Sequence, residues 1–300
     1  MALRIGVAGT GHWADTVHIP GLKAQPAAEL VGVWGRNAGT VGTVAGRHGI
    51  RGFTRFEDML ATVDAVSFSV PPAVQVGLAV AAAEAGKHLL LEKPIAPTVA
   101  DAERITAAAE KSGVSTVVFF TRRFVPEFER MLQEARAKRW AGARVRQHTE
   151  AMLPGSPYVG SVWRQADGAA LWDLGPHALS VLTAILGPVE RVSASRTPER
   201  LSCFVATHAG GARSDVSLSL YTKPTELKSE YVFQGADGDY VLPIPTFPRP
   251  QALATAAGEL AANAARGKRR HRCDVTVGLE VVRVLAAADR SLATGSSVTL

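Results

Sequence analysis

The sequence predicts an α/β chain in two parts. These are an N-terminal Rossmann-type, doubly wound parallel sheet over residues 1–121 and a C-terminal α+β part, with a largely antiparallel open sheet, over residues 122–300. Three observations carry this. Up to residue 120, short and nearly continuous apolar runs alternate with alanine-rich stretches of helical spacing, the pattern of a parallel sheet covered on both faces. Beyond residue 121 such runs follow one another across short glycine turns, as antiparallel strands do. The length of 300 residues suits about two ordinary domains.

The strands expected in the first part are 3–8, 29–34, 65–70, 88–91 and 114–120, with helices at 74–85 and 99–111 between them. Crossovers of this kind are right-handed. In the second part, 144–150, 189–195, 201–208, 213–221 and 226–234 read as strands, joined by turns such as Ala209-Gly210-Gly211 and Ala236-Asp237-Gly238. Helices are expected at 126–138, 178–185, 250–266 and 275–293. Four prolines within 243–250 mark an extended surface loop.

Composition narrows the function classes. Apolar residues make up 47% and charged residues 20% of the chain, enough for sizeable cores and too hydrophobic for a disordered protein. Cys203 and Cys273 are the only cysteines and form no CxxC pair, so neither a disulfide framework nor a metal knuckle is expected, and a reducing cytoplasm fits. The start MALRIGVAGTG passes straight into a strand–glycine pattern, which predicts no cleaved leader. The absence of about 18 consecutive apolar residues predicts no membrane span. The net charge is +6, part of it in Lys268-Arg269-Arg270-His271-Arg272. With no interleaved aromatics, this run reads as a solvated loop between helices rather than a nucleic-acid patch.

Gly9-Thr10-Gly11-His12-Trp13-Ala14 has the form GxGxxA, after the first strand and at the opening of the first helix. That is the context of a dinucleotide fingerprint. The first glycine allows the tight turn, the second lets a pyrophosphate approach the backbone, and Ala14 lets helix and sheet pack closely. Free N–H groups at the helix start then bind phosphate. After the second strand, where an NAD site usually has an acid, the sequence reads Gly35-Arg36-Asn37. No carboxylate repels a 2′-phosphate there, and a guanidinium suits one. NADP is therefore expected over NAD, with Arg36 stacked on the adenine or merely solvated as the other readings.

Gly86-Lys87-His88, a short strand, and then Glu92-Lys93-Pro94 resemble the Gfo/Idh/MocA family of oxidoreductases, as does Asp173-Leu174-Gly175-Pro176-His177, similar to the family's DxGxH block. The resemblance runs from the glycine loop through Val70-Pro71-Pro72 to the final Ala293–Val298 stretch, nearly the whole chain. It implies a two-domain fold, a nicotinamide cofactor held in part by Val70, Pro71, Glu92 and Lys93, and hydride transfer on sugars, cyclitols or their keto forms. It also implies dimers or tetramers built through the open face of the C-terminal sheet. An uncovered apolar face would have to be buried, which points the same way.

Hydride transfer at a carbinol carbon needs a matched proton transfer at oxygen. Lys93 is the candidate for contact with that oxygen, since an ammonium stabilises a developing alkoxide and donates a proton; an ordinary surface lysine is the alternative. His177 is the candidate acid–base group, with Asp173 orienting substrate or imidazole. The plain alternatives are a helix-capping Asp and a satisfied core His. Pro176 suits a first helical turn, so the helix is expected to begin near Gly175 with Asp173 just before it. Trp163-Arg164 resembles a substrate-side element of the family, and Tyr158 lies on the same loop. Three positions depart from the family pattern: Gln75 in place of His, Ser180 in place of a second acid, and Thr121-Arg122-Arg123 without the usual Asn. Gln75 and Ser180 motivate a second reading, a catalytically silent dinucleotide-binding sensor.

Overall fold

The structure, a computed structural model, describes residues 1–223 and 229–300. The chain divides into two compact units, Met1–Val125 with Phe247–Leu279 and Pro126–Thr246 with Glu280–Leu300. A single cut after residue 121 therefore does not describe the division. Residues 247–279 return to the first unit, which hydrophobic periodicity does not reveal.

The first unit opens with β1 (Leu3–Ala8), followed by a π-helical turn (Ala14–His18) that runs into α1 (Ile19–Lys23). There follow β2 (Ala28–Trp34), α2 (Ala38–His48), β3 (Arg51–Phe53), α3 (Phe56–Leu60), β4 (Ala65–Phe68), α4 (Pro72–Glu84), β5 (His88–Leu91), α5 (Val99–Ser112) and β6 (Thr116–Val118). The strand order is β3-β2-β1-β4-β5-β6, with every pair parallel. Ile5, Val7, Ala65, Val66, Phe68, Leu89, Leu90, Leu91 and Val117 are fully buried, which is why these strands read as unbroken apolar runs. Helix ends follow local chemistry. Asn37 and Thr98 accept from the backbone N–H three residues on, while Gly49 and Gly113 end α2 and α5 in the left-handed region, a conformation glycine adopts without penalty. The order reverses between β1 and β4, so the carboxyl ends of these strands form the switch point where such sheets bind ligands.

In the second unit α6 (Pro126–Arg136), β7 (Gly142–His148), α7 (Val162–Gln165) and α8 (Ala169–Leu186) precede β8 (Val189–Arg196), β9 (Ser202–His208), β10 (Arg213–Ser219), β11 (Ser229–Gly235) and β12 (Gly238–Val241). α9 (Arg249–Ala265) belongs to the first unit; α10 (Val275–Thr294) and β13 (Val298–Thr299) complete the chain. The expected strand start at Glu226 lies outside the described residues. The sheet order is β12-β11-β7-β10-β9-β8-β13. Its pairs are antiparallel except β7–β10, which is parallel.

Three expectations are corrected. First, α8 begins at Ala169 and carries Pro176 in its interior. An interior proline costs about 3 kcal/mol, but here Leu171, Pro176, Ala178, Leu179, Val181 and Leu182 are all buried, and a side chain at Gly175 would meet Leu285 at 2.7 Å. Tertiary packing overrides the local preference. Among the described residues α8 is the one helix long and apolar enough to cross a membrane, yet 72% of it is buried inside the fold.

Second, the open face of the C-terminal sheet is polar rather than apolar. It presents Arg144, Arg146, Asp215 and Ser193 to solvent, with Cys203, Val205, Ser217 and Glu230 half-exposed, around a shallow concavity. The alternation that buries Val145, Phe204, Ala206, Val216 and Leu218 turns these polar residues outward.

Third, the basic run is not wholly solvated. His271 and Arg272 turn onto Glu259 of α9. Burial pushes the Glu259 carboxyl up, but hydrogen bonds and charge from these two partners leave it below its ordinary value.

Candidate functional sites in the two units

In the first unit the glycine loop sits at the carboxyl end of β1. Gly9 has φ +127° and a Cβ there would lie 2.2 Å from the Ser69 carbonyl oxygen, so only glycine fits. A Cβ on Gly11 would meet nothing within 4 Å. The loop is closed on the protein side and open where a pyrophosphate would approach. Ala14 is fully buried, as close helix–sheet packing requires. These features fit a dinucleotide, whose phosphates the N–H groups of Gly11, His12 and Trp13 would hold.

At the end of β2, Gly35 packs so tightly on Thr10 that a Cβ would sit 2.8 Å from its methyl carbon. The Thr10 and Thr40 hydroxyls lie 3.2 Å apart, and Arg36, the residue after Gly35, is exposed. Val70 flanks Gly9, its methyl 3.2 Å from where a Cβ would be, and Pro71 precedes α4. Gly9, Thr10, Arg36, Val70 and Pro71 thus all follow the carboxyl ends of β1, β2 and β4.

Glu92, Lys93 and Pro94 follow β5, with a cis Lys93–Pro94 peptide. The Glu92 carboxylate accepts at Oε1 from Trp13 Nε1 (2.7 Å) and at Oε2 from the Lys93 N–H (3.1 Å). His18 Nε2 lies 3.1 Å from the same Oε1 and His18 Nδ1 lies 2.8 Å from Ser67 Oγ. Lys93 is half-buried. The Trp13 indole N–H is therefore held by protein, and the Arg249 guanidinium lies 5.5 Å above its ring.

Gln75, fully buried, donates from Nε2 to the carbonyls of Glu92 (2.9 Å) and Ile95 (3.0 Å) and accepts the Glu92 N–H at 2.9 Å. Sequence reasoning missed His18, Ser67 and the role of Gln75. Each is a polar residue in an apolar context, which marks a buried, hydrogen-bonded group but does not name its partner.

In the second unit Asp173 lies inside α8, four residues before His177 and hence on the same face, not ahead of the helix as a cap. It is 6% exposed and receives Arg164 Nε at 2.8 Å and Nη2 at 3.3 Å. The Arg164 guanidinium lies 4.8 Å from the Tyr158 ring and 4.3 Å from the Trp163 ring. Tyr158, Trp163, Arg164 and Asp173 thus form one cluster. His177 is half-buried, and its carbonyl accepts the Ser180 hydroxyl at 2.9 Å. Nearby in sequence, Trp172 donates to Asp289 at 2.6 Å. Burial pushes the Asp289 carboxyl up, against that bond and the Arg196 charge. Among the described residues no cluster of three His, Cys, Asp or Glu is able to hold a metal.

Residues 3–120 match the family model described as the oxidoreductase family with an NAD-binding Rossmann fold. The chain is 34% identical over 130 residues to 4-carboxy-2-hydroxymuconate-6-semialdehyde dehydrogenase of Sphingobium, covering 42% of this chain and 41% of that protein. It spans roughly a third to a half of the first curated relatives it matches. A longer match, 27% identical over 246 residues, covers 79% of this chain and 74% of D-xylose 1-dehydrogenase (NADP(+)) 2 of Haloferax volcanii. The WlbA dehydrogenase of Bordetella pertussis, solved with NADH and UDP-GlcNAcA, superposes with a TM-score of 0.85 at 23% identity, covering 100% of this chain and 99% of that one. At that identity the likeness is one of fold.

Proposed function

We propose that this chain, whose residues 3–120 match the NAD-binding Rossmann fold of an oxidoreductase family, is a Gfo/Idh/MocA-type NAD(P)-dependent oxidoreductase. It moves a hydride between nicotinamide and a carbinol or carbonyl carbon of a sugar-, cyclitol- or related polyol-type substrate. The observation that carries this reading is the shape of the glycine loop. Gly9 is packed against the Ser69 carbonyl while Gly11 is open, and the same unit carries Lys93 at the carboxyl end of β5. The Haloferax relative is named for D-xylose and NADP(+), which supports both the substrate class and the cofactor.

When bound, the dinucleotide supplies or accepts the hydride. Gly9, Thr10, Gly11, His12 and Trp13 hold its phosphates. Val70, Pro71 and Glu92 border it, and Arg36 reads a 2′-phosphate, so NADP is preferred over NAD. In the first unit Lys93 stabilises charge on the substrate oxygen and donates its proton. In the second unit His177 serves as acid–base group, Asp173 is held by Arg164 as an orienting carboxylate, and Tyr158 and Trp163 contribute apolar surface to substrate. We place the protein in the cytoplasm, since its two cysteines suit a reducing compartment. We assign a homodimer or homotetramer formed through the open C-terminal sheet, whose mixed Arg144, Arg146, Asp215 and Glu230 face suits a two-fold copy of itself.

The sensor reading rested on Gln75 and Ser180. Gln75 is engaged in holding the Glu92–Ile95 loop and Ser180 in bonding its own helix; what favours the enzyme is that Lys93, Asp173 and His177 are all present, which a sensor has no chemical need to keep. The test is a screen of aldoses, cyclitols and keto-sugars with NADPH and NADH, followed by cofactor fluorescence. Turnover of any such substrate supports the enzyme; tight NADPH binding with no turnover of any favours the sensor. Light scattering at micromolar concentration checks the oligomer, and a clean 31.6 kDa monomer would remove it.

A further inference from the structure

We infer that His18, together with Trp13, is a positioning residue for Lys93, acting through the Glu92 carboxylate; this rests on the reading of Lys93 given above. Trp13 and His18 are five residues apart, and on a regular α-helix that separation turns the side chains about 140° from each other. Here the Ile19 N–H bonds to the Ala14 carbonyl, the i→i+5 pattern of a π-helical turn. The wider turn brings residue 18 back towards the face of residue 13. Both side chains then meet one atom, Glu92 Oε1, at 2.7 Å from Trp13 Nε1 and 3.1 Å from His18 Nε2. Such turns concentrate at functional sites, and this one lies inside the helix that the glycine loop opens.

The surroundings make the arrangement rigid. His18 is 0% exposed and Ser67, its second partner, is also 0% exposed. The Glu92 side chain is 13% exposed. With Ser67 beside Nδ1 and a carboxylate beside Nε2, the natural assignment has Nε2–H donating to Glu92 and Nδ1 accepting the Ser67 hydroxyl. In a low-dielectric setting charge-assisted bonds of this kind are strong and directional.

The other carboxylate oxygen receives the Lys93 backbone N–H, so the position of Glu92 passes to Lys93 through a single residue. His18 is fully buried between Ser67 and Glu92, and its part is to hold rather than to relay. The network also ties the pyrophosphate loop, through Trp13, to the lysine loop. Dinucleotide arrival and Lys93 placement become one mechanical event.

The test reads Lys93 itself and needs no substrate. Lys93 acetylation by acetic anhydride is followed by mass spectrometry with and without saturating NADPH, on folded protein verified by circular dichroism. In the unmodified protein NADPH is expected to slow Lys93 acetylation about tenfold or more, because a pre-organised group sits against the bound cofactor. In His18→Leu and in the isosteric Glu92→Gln, protection at saturating NADPH is expected to fall to about threefold or less. His18→Gln, whose amide N–H reaches the same oxygen, is expected to restore most of it.

Full protection in both His18→Leu and Glu92→Gln would overturn the inference. So would a His18→Gln variant as defective as His18→Leu, since packing alone would then explain the loss. If His18→Leu does not fold, Glu92→Gln and His18→Gln decide the matter. Absence of NADPH binding by the unmodified protein would instead remove the parent reading, and this inference with it.

Discussion

Gln75 and Glu92 are joined twice, by the Gln75 amide donating to the Glu92 carbonyl and by the Glu92 N–H returning to the Gln75 side-chain oxygen, each at 2.9 Å. With a third bond to Ile95, one buried side chain satisfies three backbone groups of the loop that carries Lys93. Gln75→Leu keeps the volume and leaves those groups unpaired. Each net bond is worth about 1 kcal/mol and an orphaned buried group costs more, so the variant is expected to lose about 2–4 kcal/mol in a denaturant melt. A change under about 0.5 kcal/mol would mean that water takes over the bonds.

The two loop glycines are expected to behave in opposite ways. Gly9→Ala forces a carbon to 2.2 Å from a carbonyl oxygen at φ +127° and is expected to destabilise the fold by several kcal/mol. Gly11→Ala meets nothing within 4 Å, so it is expected to melt at or slightly above the unmodified temperature. It nevertheless should weaken NADPH binding by about tenfold or more, through crowding worth about 1–3 kcal/mol at the pyrophosphate. Normal NADPH affinity in Gly11→Ala would mean the cofactor does not lie on this loop.

These glycines also indicate what was legible in the sequence. β1 and β5 stand where their apolar runs and flanking turns put them, because strands buried on both faces leave an uninterrupted signal. β3 was not legible: of its three residues only Phe53 is buried, too little for any period. The first half of α8 was hidden by Pro176, whose local preference is outweighed by contacts with residues far along the chain. The polarity of the open sheet face is not legible, because alternation shows that two faces differ, not what each meets. Lys93, Asp173, His177 and the glycine loop are local motifs and were identified as candidates. The Trp13–His18–Ser67–Gln75–Glu92 network joins five separated positions, and no local pattern encodes it.

Arg36 tests cofactor choice. It is exposed after β2 where no carboxylate stands, and one charge-assisted contact to a 2′-phosphate is worth roughly 1.5–3 kcal/mol. Arg36→Ala should therefore weaken NADPH by about tenfold or more in a fluorescence titration while leaving NADH within about twofold. Equal losses for the two cofactors would rule out a reading of the 2′-phosphate.

Glu259 makes stability depend on acidity. Despite the opposing effect of burial, its carboxyl is held below the reference value of 4.5 by hydrogen bonds and charge from His271 and Arg272. A carboxyl with a depressed folded-state pKa stabilises the fold above its unfolded pKa, and that contribution disappears as pH falls through the folded value. The stability gap between the unmodified protein and Glu259→Gln should thus be present above pH 4.5 and close below it. A gap that stays constant on acidification would show that the carboxylate charge is not what holds the α9–α10 connection.

Lys93 separates chemistry from binding. It emerges at the carboxyl end of β5, where ligands of such sheets bind, and its backbone is fixed by Glu92. Lys93→Met has similar length and no charge, so folding and NADPH affinity should remain nearly intact. Turnover on whichever polyol or carbonyl substrate the screen identifies should fall at least ~100-fold, the low end of what a positioned acid–base group contributes. His177→Ala should slow turnover less, because water partly replaces a proton shuttle. The pair also discriminates between roles. A group that acts only in the transition state lowers kcat with little change in KM, whereas a group that merely binds substrate raises KM with kcat unchanged. Near-normal kcat in Lys93→Met would move the catalytic role away from Lys93 and leave it as a binding group.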